Sequence, residues 1–443
     1  MSSPLITPTR LQLAPDMPIC QQDLPLDRYD EAFLPYAEEY LSLPNRTPET
    51  VLPWLDGYAL PAIEHFGDSL LLLAHFYMGG EIVKLVERYG GAVADSYVLA
   101  LQARSQPEKT VIVESAVHFM AESVSILASD DQAVWITNPR AGCTMEMMAK
   151  DWMVNPLAQQ LIDRYGDLLA TVAYMNTSGQ LKALAGRTGG AVCTSSNAHH
   201  IVKATLQSTG KVFFVPDEHL GRNTAHRLGI DPARIAVLPD PRSLPRDFAL
   251  ADLPGGLDRL DRAQMILWGG FCGVHTVFTT EHVAWWHDHG WEVHVHPECP
   301  LEVVLAADGA GSTKYLWSLI NTAPQGARLA IGTEGHFVQN AIDHGAARGV
   351  EVRHLADIPG AVAAGCGCAT MSRNDPPHLA GMLDLLRRGE APELNRVLPG
   401  DHIDEHTGVR TRLDASNRNA LVQDASVAMQ RMIDITERVE AGD

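Results

Sequence analysis

Basic residues are scarce in this chain: 34 Lys and Arg stand against 54 Asp and Glu, a formal net charge of −20. That balance excludes a nucleic-acid backbone as the main partner, because phosphate binding on that scale needs clustered cationic side chains. Cysteine is also scarce. Seven in 443 residues, unevenly spread, do not make the disulfide framework of a small secreted domain, so reduced thiols, buried or metal-bound, are expected. Long apolar runs are missing as well. The first twenty residues hold no continuous apolar segment, and the run SLLLLAHF at 69–76 falls far short of the roughly 20 residues a bilayer span requires. A cytoplasmic protein with no nucleic-acid and no membrane partner is the expectation.

What is present is one unit repeated three times. The first copy runs from LLLLAHFY through GGEIVKLVERYG and KTVIVESAVHFMAESVSIL to AVWITNPRAGC. The second runs from TVAYMNTS through CTSSNAHHIVKAT and KVFFVPDEHLGRNTA to QMILWGGFC, and the third from WEVHVHPE through GAGSTKYLWSLI and ARLAIGTEGHFVQNAID to AVAAGCGC. Short apolar, β-branched runs separated by helix-length amphipathic segments predict βαβ units, hence three similar Rossmann-like parallel-sheet α/β domains. The expected divisions are an N-terminal extension at 1–62, repeats at 63–148, 149–276 and 277–372, and a C-terminal helical segment at 373–443. Within the extension, YDEAFLPYAEEYLSLP looks like a docking helix, whereas SRNDPP interrupts a helix expected after the third repeat.

Matching polar residues recur in the copies. Each first strand ends in a pair spaced by two: His75 and Tyr77, Tyr174 and Asn176, His296 and Glu298. Residues i and i+2 of a strand share a face, so each pair is expected to point to one side at the carboxyl end of a parallel sheet, where ligands bind. A hydroxyl residue then opens the next helix: Ser96, Ser195, and Ser312 with Thr313. Tyr77 and Ser96 stand nineteen positions apart, as do Asn176 and Ser195. One such Ser is ordinarily an N-cap; three in register with polar strand ends favour a single central site for anions at helix N-termini.

Each copy also closes on a cysteine: Cys143, Cys272, and either Cys366 or Cys368. Cys20 and Cys193 read as buried small hydrophobes, and Cys299, directly after Glu298 on an extended strand, is expected to face away from the site. Three equivalent thiolates suit one metal centre, either a zinc with an open position or a cubic iron–sulfur cluster with one iron free. A zinc-dependent hydrolase using His75, His296 and cysteine is weakened by the lack of H-x-x-x-H or H-E-x-x-H spacing around those histidines. A non-catalytic small-anion binder leaves the repeated cysteine unexplained.

The ordered set AHFY, ADSYVLA, VHFMAE, AGCTM, YMNTS, CTSSNA, PDEHLG, HPE, GAGST, IGTEG and CATM, from about 68 to 372, resembles the quinolinate synthase family of NAD biosynthesis. The resemblance implies three α/β domains in a pseudo-threefold arrangement around a central 4Fe-4S cluster. By motif its three ligands are Cys143, Cys272 and Cys368, one iron remaining open. It further implies condensation of iminoaspartate with dihydroxyacetone phosphate, with loss of phosphate and water, and a functional link to an oxidase or dehydrogenase that makes the imine. Glu298 and Tyr77 are then candidates for acid–base work, alongside His75 and His296. Tyr174 and Asn176 would orient substrate, and Ser96, Ser195, Ser312 and Thr313 would bind its anionic groups.

Overall fold

The computed structural model describes residues 24–245, 247–359, 367–368, 370–404 and 407–442, so Cys20 and Cys366 lie outside the described residues. Their strands form three parallel sheets and one short antiparallel ribbon. The first sheet contains β1 (Leu70–His75), β2 (Ala92–Ala94), β3 (Val111–Ser115) and β4 (Ala133–Ile136), in the order β2-β1-β3-β4. The second contains β5 (Leu169–Tyr174), β6 (Ala191–Cys193), β7 (Lys211–Val215), β8 (Ile235–Val237) and β9 (Met265–Leu267), in the order β6-β5-β7-β9-β8. The third contains β10 (Glu292–Val295), β11 (Gly309–Ala310), β12 (Arg328–Gly332) and β13 (Glu351–His354), in the order β11-β10-β12-β13. The class is α/β, with three similar Rossmann-like sheets flanked by helices.

The burial of the strands explains why the apolar runs are continuous rather than alternating. Every residue of β1, β5 and β7 is buried, as happens when helices cover both faces of a parallel sheet. Register repeats between sheets. His75 lies beside Ala94, Tyr174 beside Cys193, and Val295 beside Ala310. Each first strand therefore ends level with the strand that feeds the next hydroxyl-bearing segment, which brings the polar pairs and the hydroxyls to one end of each sheet.

Some local details differ from the sequence reading. Tyr77, Asn176 and both His296 and Glu298 lie just past their strands, in turns closed by bonds such as Met78 N–H to His75 O (3.0 Å) and Cys299 N–H to His296 O (3.0 Å). Ser96 is the first residue of its helix, but the cap is Asp95, whose carboxylate accepts from Val98 N–H. Ser195 sits in a turn before the helix Ala198–Thr209. Asn197 accounts for that offset, because its side chain holds Thr194 N–H at 2.7 Å and forms an extra turn. The helix Gly179–Arg187 ends in a tight turn before β6: Gly189 has φ +79°, and a Cβ on Gly190 would lie 1.9 Å from Thr171 O.

The chain ends pack on this frame. Leu34–Ser42 and Pro48–Phe66 lie on Pro376–Arg388, with Tyr36 Oη donating to Asp384 at 2.7 Å. The interrupted stretch resolves into a short 3₁₀ turn, Met371–Arg373, followed by a helix capped by Asp375. The helix Ala415–Glu440 crosses Gly179–Arg187 and β6, so closely that a Cβ on Gly186 would meet Asp424 O at 2.0 Å.

Candidate active site

One cavity, with about 680 Å³ of space free of protein atoms, lies where the three sheets point their carboxyl ends. It is lined by His75, Tyr77, Ser96, Cys143, Tyr174, Asn176, Ser195, Cys272, His296, Glu298, Thr313 and Cys368. Ser312 does not line it: its hydroxyl caps its own helix by accepting from Tyr315 N–H at 3.4 Å. The cavity wall carries no Lys or Arg among the described residues, so hydroxyls, amides and helix starts are what it offers an anion.

The cysteines occupy equivalent places. Cys143 follows β4, Cys272 follows β9 and Cys368 follows β13. Each opens a helical turn in which its carbonyl accepts from the N–H four residues on: Met147 (2.9 Å), Thr276 (3.2 Å) and Ser372 (2.9 Å). That turn aims amides back at the sulfur, those of Met145 and Glu146 at Cys143, His275 at Cys272, and Met371 and Thr370 at Cys368. Burial pushes all three thiols upward; Cys368 raises Cys143 further, and Cys272 is raised by Glu298 and then by both other thiols. Thiols that disfavour one another's ionisation, and whose sulfurs are met by N–H donors, form a donor set suited to a soft, highly charged iron centre. Cys193 and Cys299 are fully buried and do not line the cavity.

The loop bearing Cys368 is pinned from below. Glu334 Oε1 accepts from Cys368 N–H (2.8 Å) and lies 2.8 Å from His336 Nδ1, while Oε2 caps the following helix through Phe337 N–H (3.1 Å). A Cβ on Gly367 would come within 2.6 Å of Glu334 Oε1 and His336, which is why glycine precedes Cys368.

Glu298 is the centre of the polar wall. Tyr174 Oη donates to its Oε1 at 2.5 Å, and His275 Nδ1 lies 2.8 Å from its Oε2. Burial opposes ionisation of Glu298, but the facing His296 and His275, with the bond from Tyr174, hold the carboxyl below its usual range. Burial and then the Glu298 charge push Asp217, which caps Glu218–Arg227, well above the carboxylate range. The two carboxyls are coupled, and the charge is favoured on Glu298, which faces the cavity.

The histidines of the first and third copies are held alike. Tyr77 N–H donates to His75 Nδ1 (3.2 Å), and Glu298 N–H to His296 Nδ1 (3.4 Å). Burial lowers His75 to about 4 and His296 to about 3, so both rings are neutral near pH 7, with the proton on Nε2. Tyr77 Oη lies 3.2 Å from Thr333 Oγ1, and burial pushes its phenol well up, so it keeps its proton. Sequence reasoning missed His275, Thr333 and Asp217. The C-x-x-H spacing of Cys272 and His275 was the available signal for the first, and the place of Asp217 directly before a helix-like segment was one for the third; Thr333 gives none, since it meets Tyr77 and His275 of other units.

A family model described as Quinolinate synthetase A protein matches residues 63–395. A quinolinate synthase of Geobacillus kaustophilus is 38% identical over 358 residues, covering 80% of this chain and 91% of that protein. One of Streptomyces coelicolor is 36% identical over 393 residues, covering 87% and 93%. One of Bacillus velezensis is 38% identical over 334 residues, covering 75% and 85%.

Proposed function

Since the chain belongs to the quinolinate synthetase A family, whose activity is quinolinate synthesis for NAD, we propose that it condenses iminoaspartate with dihydroxyacetone phosphate inside the central cavity. It is an iron–sulfur enzyme. The atoms balance with release of one phosphate and two waters as the pyridine ring closes. We take 63–148, 149–276 and 277–372 as the three units that enclose the site, with 1–62 and 373–443 as flanking segments.

The observation that carries this reading is the convergence of Cys143, Cys272 and Cys368, from equivalent loops, on a cavity that also holds Glu298. Those three thiols would hold a 4Fe-4S cluster. When bound, such a cluster with three protein ligands supplies an open iron, a Lewis acid for a substrate oxygen.

The chain's own groups do the rest. Ser96, Ser195 and Thr313, from three different units, suit the carboxylates and phosphate, binding them without cationic side chains. Asn176 and Tyr174 border the same space and would orient the imine. Glu298, ionised and bonded to Tyr174, is the base that removes protons as the carbon skeleton condenses and loses water. Tyr77 and the Nε2–H groups of His75 and His296 donate hydrogen bonds to substrate oxygens as charge develops on them. None of the described helices is long and apolar enough to cross a membrane, which suits a cytoplasmic enzyme fed by an iminoaspartate-forming oxidase or dehydrogenase.

The test is to purify the chain without oxygen, measure iron and sulfide, and supply iminoaspartate generated in place together with dihydroxyacetone phosphate. Quinolinate formed by iron-loaded protein supports the reading; iron-loaded protein that makes none from these substrates rejects it.

A further inference from the structure

Cys272, His275 and Glu298 form the one set of three His, Cys, Asp or Glu residues among the described residues whose ligand atoms all lie within 4.8 Å of one another. Only Cys272 of these belongs to the proposed cluster ligands, so the set poses a separate question. His275 is 1% exposed, and its Nδ1 forms no aligned hydrogen bond although Glu298 Oε2 is 2.8 Å away. With the Cys272 sulfur, this nitrogen and carboxylate oxygen put three different ligand atoms close to one another.

The other side of the ring is anchored. His275 Nε2 meets Thr333 Oγ1 at 3.1 Å, and His296 stacks on the ring with centroids 4.5 Å apart and planes 22° apart. A hydroxyl on one imidazole nitrogen fixes the ring and leaves the other nitrogen free as a ligand, the arrangement found behind metal-bound histidines. Sulfur, imidazole and carboxylate together suit a borderline divalent cation in tetrahedral geometry with one open position.

We propose that cluster-free protein binds a single zinc-type divalent cation through Cys272, His275 and Glu298, and that this ion competes with cluster assembly. The competition follows from shared parts: the ion takes one cluster thiolate and the proposed catalytic carboxylate. The proposal adds to the cluster reading without using the same ligand set, since Cys143 and Cys368 play no part in it.

Cobalt(II) titration of the full-length, cluster-free chain under anaerobic conditions tests it, with circular dichroism as the check that each variant is folded. The expected result is one cobalt per chain with a thiolate-to-metal absorption band. Cys272→Ser should lose the band, and His275→Gln and Glu298→Gln should each weaken affinity by about tenfold or more, while Cys143→Ser and Cys368→Ser leave it unchanged. Thr333→Val should weaken binding by roughly tenfold and Thr333→Ser restore it, as for a partner that orients a ligand. Preloaded cobalt should slow iron uptake. Loss of binding in Cys143→Ser and Cys368→Ser with His275→Gln unaffected would mean that the three thiols hold the ion, and would overturn the proposal, as would absence of cobalt binding. Iron and sulfide assays on the same variants report the cluster separately.

Discussion

Glu114 is fully buried in β3, and neither carboxylate oxygen has a hydrogen-bond partner. Burial alone pushes its carboxyl up from 4.5 to about 8. Below pH 4.5 the folded and unfolded chains both hold the proton. Between 4.5 and 8 the unfolded chain releases it while the folded chain keeps it, so stability falls as pH rises and levels off above 8. The total is at most about 5 kcal/mol, at roughly 1.4 kcal/mol per pKa unit. Glu114→Met should therefore raise the melting temperature most at pH 8 and hardly at pH 4.5; an equal gain at both would contradict this. Glu298 carries the opposite expectation, because its charge is wanted. Glu298→Gln keeps the shape and the Tyr174 contact but removes the proposed base, so iron content should stay at the parent value while quinolinate formation falls by about 100-fold or more. Parent-like rates in that variant would remove Glu298 from the reaction.

At the scale of elements, the helical turns opened by the cysteines decide what the site can hold. The turn at Cys368 depends on Glu334, which accepts from the Cys368 amide and from the Phe337 amide that opens the next helix. Glu334→Ala should lower iron per chain well below the parent value after anaerobic reconstitution. Gly367→Ala, which forces a Cβ against Glu334 and His336, should do the same; full iron loading in both would show that the loop needs neither. The apolar strands, the hydroxyl segments and the cysteine positions were legible in the sequence because each is a local pattern repeated three times. Position within the turns was less legible. Asn197 shifts Ser195 out of the helix start, and Ser312 is used up as a cap, through hydrogen bonds between near neighbours that periodicity does not encode. Glu122, in the motif VHFMAE, binds Gly179 N–H and Gly400 N–H at 2.7 Å each and so ties distant segments rather than facing the cavity.

Over the whole molecule, the first two sheets share one continuous apolar core with the helices at both ends of the described chain, whereas the third sheet has two smaller cores, one around Trp286 and Val293 and one around Phe337 and Ile331. The terminal helix ties the first two units together: Gln430 accepts from Arg104 (2.7 Å), and Asn197 donates to Thr436 (3.0 Å). Gly186→Ala would drive a methyl into Asp424 O and should destabilise the protein by about 1–3 kcal/mol, read as a lower urea midpoint. These inter-unit contacts come from residues hundreds of positions apart, so the sequence pattern announced three units but not how they lock. The lock brings three thiols to one place, and the account stands on that convergence. Iron and acid-labile sulfide per chain, measured after anaerobic reconstitution of Cys143→Ser, Cys272→Ser and Cys368→Ser beside Cys193→Ala and Cys299→Ala, tests it most directly. About four irons per chain in the parent and in the last two, with almost none in the first three, is the expected result; parent-level iron in any one of Cys143→Ser, Cys272→Ser or Cys368→Ser would contradict it.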